Sequence, residues 1–268
     1  MKLTKKTSVL LAVALAAVLS SSAYAQNVFN QGDLLIGFEQ AGNASNYVVD
    51  LGNFSQFTTG TALTFNLSTA DLSATFGSTW NSNSQTNLVH WGVIGNDSNT
   101  DDLFYTKGRT VAGTQSTAPN RLASSNQQGV ESNLAGLQTG SFTGFSGSTP
   151  SAGSTLSLQA TVQTAADSNS WSSGDPQNTG FGLGSNIEQS KTSLTGPTNS
   201  VLDLYESVPR TAAGQKATYL GNFTLDSSTG TLSFNVAVAP EPSTLGLMAL
   251  GFAFMAVIIV RRKGASNL

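Results

Sequence analysis

Apolar and polar residues alternate along much of the chain between residues 33 and 238. In the clearest case Val89, Trp91 and Val93 alternate with His90 and Gly92, as in a strand with one buried face. Turn-forming residues separate such segments and limit their length. The pattern predicts strands at residues 33–38, 46–51, 62–67, 88–94, 103–106, 201–205, 218–225 and 231–238, and an irregular strand at 181–187.

Short connections between neighbouring segments predict antiparallel hairpins. Gly42 and Asn43 lie between the first two predicted strands, and both residue types favour turns. The strand at 103–106 is the expected partner of the strand at 88–94. Residues 226–230 end in glycine and join the last two strands, which form the clearest pair.

One short helix has clear start and stop signals. Ser68 and Asp71 resemble a capping box that opens it. Leu72 and Phe76 would share its buried face, and Gly77 would end it.

The middle of the chain carries weaker signals. Residues 110–153 are polar, which favours long loops or local disorder. A helix is nevertheless predicted at 131–138, although Gly136 weakens it. Residues 155–166 fit a strand by alternation and a helix by a shared apolar face. We favour the helix, because its best helix formers come last and the polar residues 167–173 then end it.

Eight or nine short strands with one to three helices predict a mainly β, antiparallel, sandwich-like domain. We assign residues 26–239 to this domain, and their number is sufficient to bury a core.

The start of the chain has the parts of a secretory signal peptide. A basic region precedes an apolar segment at residues 9–19, which is too short to cross a bilayer. Ala23 and Ala25 form a cleavage site of the A-x-A type. We therefore expect a signal peptide at residues 1–25 and an exported chain that begins at Gln26.

The end of the chain predicts a membrane helix. Residues 244–260 are uncharged and almost wholly apolar, so we expect them to form one transmembrane helix. Arg261, Arg262 and Lys263 follow directly and predict a stop-transfer signal with the C-terminus in the cytoplasm. Upstream of the helix, Pro240 opens an extended segment. A plain membrane anchor would explain the helix and the charges equally well.

The order of these parts resembles the PEP-CTERM sorting signal of Gram-negative bacteria, in which Pro-Glu-Pro-Ser-Thr precedes an apolar helix and a short Arg-rich end. A plain anchor does not explain the Pro-Glu-Pro step. The resemblance implies that an exosortase, a membrane transpeptidase, processes the tail at 240–268. Transient anchoring in the inner membrane would then precede delivery to the cell surface or the extracellular matrix. The residues that match the motif are Pro240, Glu241, Pro242, Ser243 and Thr244.

Three further segments resemble a group of PEP-CTERM proteins from Verrucomicrobia-like bacteria. Members begin with Gly-Asp-Leu-Leu-x-Gly-Phe and Tyr-Val-Val-Asp-Leu-Gly, and close with Tyr-Leu-Gly-x-Phe-Thr-Leu and a final strand. The corresponding residues are 32–38, 47–52 and 219–225. This resemblance implies no catalytic motif and no known activity.

Composition excludes several functions. Residues 26–239 carry six basic and fourteen acidic side chains, a net charge of about −8, so the basic footprint of a nucleic-acid-binding protein is absent. The chain has no cysteine, which excludes disulfides, thiol catalysis and cysteine metal sites. Its one histidine, His90, would have to serve any Ser-His-Asp triad, and no G-x-S-x-G motif accompanies it.

Two patterns suggest ligands. Asp97, Asn99 and Asp101 place oxygen atoms at alternate positions, as at the start of a calcium loop, but the rest of the EF-hand pattern fails. Calcium is therefore a possible cofactor, and a plain turn is the alternative. The tryptophans at positions 80, 91 and 171 could stack on sugar rings, although burial is the commoner outcome for such residues.

Two functions follow from these observations. The first is a non-enzymatic surface or matrix protein with a structural, adhesive or carbohydrate-binding role. The resemblance to PEP-CTERM proteins implies that its partners are the exosortase, the membrane and an exopolysaccharide of a biofilm. The second is a secreted polysaccharide hydrolase, which would need two carboxylates in a cleft.

Overall fold

The computed structural model describes residues 32–82, 87–97, 99–139, 143–144, 158, 160–190 and 199–237. The predicted signal peptide at 1–25 and tail at 240–268 lie outside these ranges. The described strands are β1 (Asp33–Gln40), β2 (Ser45–Asn53), β3 (Leu63–Asn66), β4 (Val89–Asp97), β5 (Asp102–Gly108), β6 (Thr143–Gly144), β7 (Ala160–Thr164), β8 (Glu188–Ser190), β9 (Asn199–Ser207), β10 (Thr218–Asp226) and β11 (Thr231–Val236). The described α-helices are α1 (Ser55–Thr58), α2 (Thr69–Phe76) and α3 (Ser124–Thr139).

The described strands form one antiparallel sheet in the order β3-β11-β10-β9-β5-β4-β1-β2-β7-β6, and β8 also pairs with β4. The predicted hairpins β1–β2, β4–β5 and β10–β11 are confirmed. The mainly β, antiparallel prediction is confirmed as well. In place of two separate sandwich layers, one curled sheet brings distant strands together.

Aromatic contacts of Phe57 show this curl. Phe57 lies in α1, directly after β2, and its ring contacts Phe65 of β3, Phe223 of β10 and Phe234 of β11 at centroid distances of 5.2 to 6.0 Å. These strands stand far from β2 in the strand order. The inner face of the sheet therefore wraps around one apolar core, to which alternate residues of most strands contribute.

A second apolar cluster covers the opposite face of the sheet. Val130, Leu134 and Leu137 project from one side of α3, at the spacing of a helical face. They pack with Trp171 and Phe181 from the segment that follows β7. This layer lies over the middle of β1, β2, β4 and β5, so the sheet is buried on both faces there.

An ion pair secures the segment between β5 and α3. Nε and Nη2 of Arg109 both donate to Oδ1 of the wholly buried Asp203, at 3.0 and 2.6 Å. The backbone N–H of Ser116 donates to the other carboxylate oxygen at 2.6 Å. The buried charge of Asp203 is thereby matched on both oxygens, as a buried carboxylate requires.

The first helix prediction is confirmed and the second extended. Ser68 accepts a hydrogen bond from the N–H of Asp71 at 3.1 Å, and Gly77 ends α2 with a φ of +90°. The helix predicted at 131–138 lies within α3, which begins at Ser124 inside the stretch that we expected to form long loops.

The helix predicted at 155–166 is wrong. Residues 160–164 of this segment form β7, which pairs with β2 and sets Val162 opposite Tyr47. The free edge of β2 supplies backbone partners, and this pairing outweighs a local preference for helix. Residues 155–157 and 159 lie outside the described part of the chain.

The irregular strand predicted at 181–187 is also wrong. Positive φ angles at Gly180, Phe181, Gly182 and Gly184 are incompatible with an extended chain. The segment forms a 3₁₀ turn at Gly180–Gly182, and the strand starts only at Glu188. None of the helices in the described ranges has the length and apolar character needed to cross a bilayer.

Candidate functional site

The predicted sorting tail begins almost at once after the last strand. β11 ends at Val236, and the N–H of Ala237 donates to the carbonyl of Leu220 on β10 at 2.8 Å. Two residues lie between Ala237 and Pro240. A chain of that length reaches about 10 Å when fully extended. The sorting motif therefore starts close to the folded domain.

Both ends of the described domain lie along one rim of the sheet. Because neighbouring strands are antiparallel, the N-terminal ends of β1, β5 and β10 lie beside the C-terminal ends of β4, β9 and β11. We call this edge the tail rim. Gly32 precedes β1 and Ala237 follows β11, so the chain enters and leaves the domain there.

The predicted calcium residues form the turn between β4 and β5, also at the tail rim. Oδ1 of Asp97 accepts hydrogen bonds from the backbone N–H and the side-chain amide of Asn99, both at 3.0 Å. Asp101 has a φ of +57°. No group of three or more acidic or histidine side chains suited to a metal occurs in the described ranges. The calcium site stays a prediction.

A pair of buried carboxyl groups, which the sequence did not predict, lies outside this turn. Glu188 on β8 is 3% exposed, and its Oε1 accepts a hydrogen bond from the indole N–H of Trp171. Burial and then the neighbouring charge of Glu39 raise the pKa of Glu188 well above its usual value. Glu39, on β1, is 8% exposed and accepts a hydrogen bond from the side-chain amide of Gln177. These protein contacts enclose both groups.

A second pair lies near the start of β1. Asp50 faces Leu35 in the β1–β2 register, and the N–H of Gly52 donates to its Oδ1 at 2.6 Å. Burial raises the pKa of Asp50 to about 7, against the lowering effect of the Gly52 bond, and the charge of Asp33 adds to the rise. The strand register shows which residues are neighbours, but it does not show that these carboxyl groups are buried. Burial is the main cause of the raised pKa values of Asp50 and Glu188.

The other side chains singled out in the sequence, the three tryptophans and His90, are part of the folded sheet and its two apolar clusters. Trp80, Trp91 and Trp171 are at most 1% exposed, so the expectation of burial is confirmed. The indole N–H of Trp91 donates to Oγ of Ser200 at 2.8 Å inside the core. His90 is half-buried in β4, opposite Glu39 on β1 and Ser190 on β8.

A surface cleft of about 400 Å³ separates α3 from the segment after β7. All of its lining residues are uncharged. The sequence does not predict this cleft, because its two walls are more than thirty residues apart in the chain. The only local signal was the density of Ser, Asn and Gly in both segments. Among the residues that line it are Ser132, Asn133 and Gly136 of α3, and Asn169, Thr179 and Gly182 of the facing segment.

A comparison with protein-family models gives one match, the PEP-CTERM protein-sorting motif, at residues 238–263. The matched region begins directly after Ala237 and contains the motif from Pro240 to Thr244 as well as Arg261 and Arg262. This match supports an exported protein that an exosortase sorts. No curated protein and no solved structure matches the chain. The resemblance to the Verrucomicrobia-like group stays a prediction.

Proposed function

We propose that the β-rich domain acts outside the inner membrane as a non-catalytic surface or matrix protein, released to its place of action by exosortase processing. The sorting motif at 238–263, set directly behind the last strand, carries this proposal. In this view residues 244–260 hold the chain in the membrane until the tail is processed. The folded domain then remains at the cell surface or in the extracellular matrix.

A structural, adhesive or carbohydrate-binding role suits the distribution of charge. The exported part carries few charges, and in its described ranges Ser, Thr and Asn supply most of the exposed polar side chains. The buried carboxyl groups are enclosed by protein contacts, whereas the cleft is lined by neutral residues. Hydrolysis of a glycosidic bond usually needs two carboxyl groups on either side of the substrate. We therefore propose binding rather than catalysis.

The tail is tested by changing its motif alone. We expect Pro240→Ala combined with Glu241→Ala to leave the chain uncleaved in the inner membrane, because the extended, proline-bounded recognition segment is lost. The measurement is the intact mass of the chain in each cell fraction. As a matched control, Ser266→Ala combined with Asn267→Ala lies beyond the matched region and should be processed as the wild type is. Normal processing of the Pro240 and Glu241 variant would contradict the proposal.

A further inference from the structure

The cleft between α3 and residues 165–184 has walls that are fixed before any ligand arrives. The side-chain amide of Asn133 donates to the carbonyl of Phe181 at 2.8 Å and ties the helix to the facing segment. Phe181 packs edge-on against the buried Trp171, with the ring centroids 5.3 Å apart. A preformed site spares a ligand the cost of ordering the protein.

Two glycines determine the local shape of the facing segment. A Cβ atom at Gly174 would lie 2.2 Å from the ring of Phe181, so a larger residue there would displace the aromatic support. Gly182 has a φ of +102°, which side chains rarely adopt. Gly174 thus lets the Phe181 ring pack closely behind the cleft, and Gly182 supplies a backbone turn that other residues would strain.

The lining determines the kind of ligand. Hydroxyl groups of Ser132 and Thr179 and amide groups of Asn133 and Asn169 lie at the cleft, and charged side chains are missing from its lining. Hydroxyls and amides both donate and accept hydrogen bonds, so they complement a ligand that is rich in hydroxyl groups. An ion would find no opposite charge in the lining. Ser132 and Asn133 already donate to the carbonyls of Gln128 and Phe181, and their side-chain oxygen atoms can still accept hydrogen bonds from a ligand.

We propose that this cleft binds a short stretch of an uncharged saccharide. Its volume of about 400 Å³ lies within the range of small-molecule sites. The inference rests on the proposed carbohydrate-binding function and gives it a location. The cleft is on the outer face of the layer that covers the sheet, and Ser132 and Asn169 at its mouth are exposed, so a polymer can reach it.

Calorimetric titration of the full chain tests this site. The probes are glucose, galactose, N-acetylglucosamine, maltose, cellobiose and the neutral polymer dextran, with alginate as the charged comparison, in a detergent that has no sugar headgroup. We expect saturable heat from at least one neutral probe. In Ser132→Leu, a bulky apolar side chain enters the cleft, and we expect the affinity to fall by about tenfold or more, equivalent to the loss of one or two hydrogen bonds.

The control variant is Ser125→Leu, which makes the same change at an exposed position of α3 away from the cleft. It should keep wild-type affinity. No saturable heat from any neutral probe would overturn the inference, as would binding of alginate alone or an equal loss in the two variants. Processing of the tail is measured separately, so a chain that is processed but binds no saccharide refutes the cleft and leaves the sorting proposal standing.

Discussion

At the scale of single residues, two buried carboxyl groups of this domain have raised pKa values. Desolvation is the largest cause of the raised pKa at both Asp50 and Glu188, and a neighbouring carboxyl group adds to each. A carboxyl group with a raised pKa keeps its proton at pH values where the unfolded chain has lost it. Protonation of these two groups therefore makes the free energy of unfolding larger at low pH than at high pH.

We expect the free energy of unfolding to fall as the pH rises. The contribution of Asp50 is complete below about pH 4, where the unfolded chain is protonated too. It is lost as the pH rises through the folded pKa of about 7. Between pH 5 and pH 8 this group alone should lower stability by on the order of 2 kcal/mol. Urea unfolding at the two pH values measures the difference.

Two variants make the pH test specific. Glu188→Gln replaces a titrating group by a neutral one that can still accept a hydrogen bond from Trp171, so the difference between pH 5 and pH 8 should shrink. Asp226→Asn is the control, because hydrogen bonds from Ser228 lower the pKa of Asp226, which therefore titrates below this range. Equal or greater stability of the wild type at pH 8 would contradict this account.

The sequence shows where the acidic residues stand along the chain, but it does not show which of them are buried or close together. Asp33 opens the strand predicted at 33–38 and Glu39 directly follows it, and charged residues at such positions are usually exposed. Glu188 comes near Glu39 only because β8 pairs with β4, which itself pairs with β1. That proximity depends on pairing between segments far apart in the chain, so a local pattern could not predict it.

At the scale of elements, local sequence signals predicted the hairpins correctly. They did not predict the strand β7, whose pairing partner lies far away in the chain. The loop of residues 226–230 fixes the β10–β11 pair within a few residues, and the structure confirms it. β7 instead depends on β2, more than a hundred residues earlier. The helix α3 contains Gly129 and Gly136, which weaken its intrinsic preference. Its apolar face, packed on the sheet, compensates for them.

Two glycines inside regular elements should respond in opposite ways to alanine. A Cβ at Gly129 in α3 would meet no atom within 4 Å, so Gly129→Ala should stabilise the domain by about 0.5–1 kcal/mol. A Cβ at Gly37 in β1 would lie 1.9 Å from the ring of Trp171, so Gly37→Ala should destabilise it by about 3 kcal/mol. Urea unfolding measures both changes.

Each glycine variant serves as the control for the other, because the same methyl group is added. The packing of Trp171 against β1 predicts that its near-UV circular dichroism changes in Gly37→Ala and not in Gly129→Ala. A Gly37→Ala chain with wild-type stability would show that Trp171 does not cover β1 as described.

At the scale of the whole molecule, the fold brings both ends of the described domain to the tail rim. Only two residues separate Ala237 from Pro240, so an anchored domain would be held with this rim toward the membrane. The sorting tail could be predicted from the sequence, because a charge pattern and an apolar run are local. The cleft could not be predicted, because it exists only once α3 and the segment after β7 pack together.

Fractionation of native cells, with the intact mass of the chain found in each fraction, tests the central claim most directly. Exosortase sorting predicts a chain that starts at Gln26, ends near Pro240 and lies outside the inner membrane. A chain that retains residues 261–268 in the inner membrane would contradict sorting and identify the tail as a plain anchor.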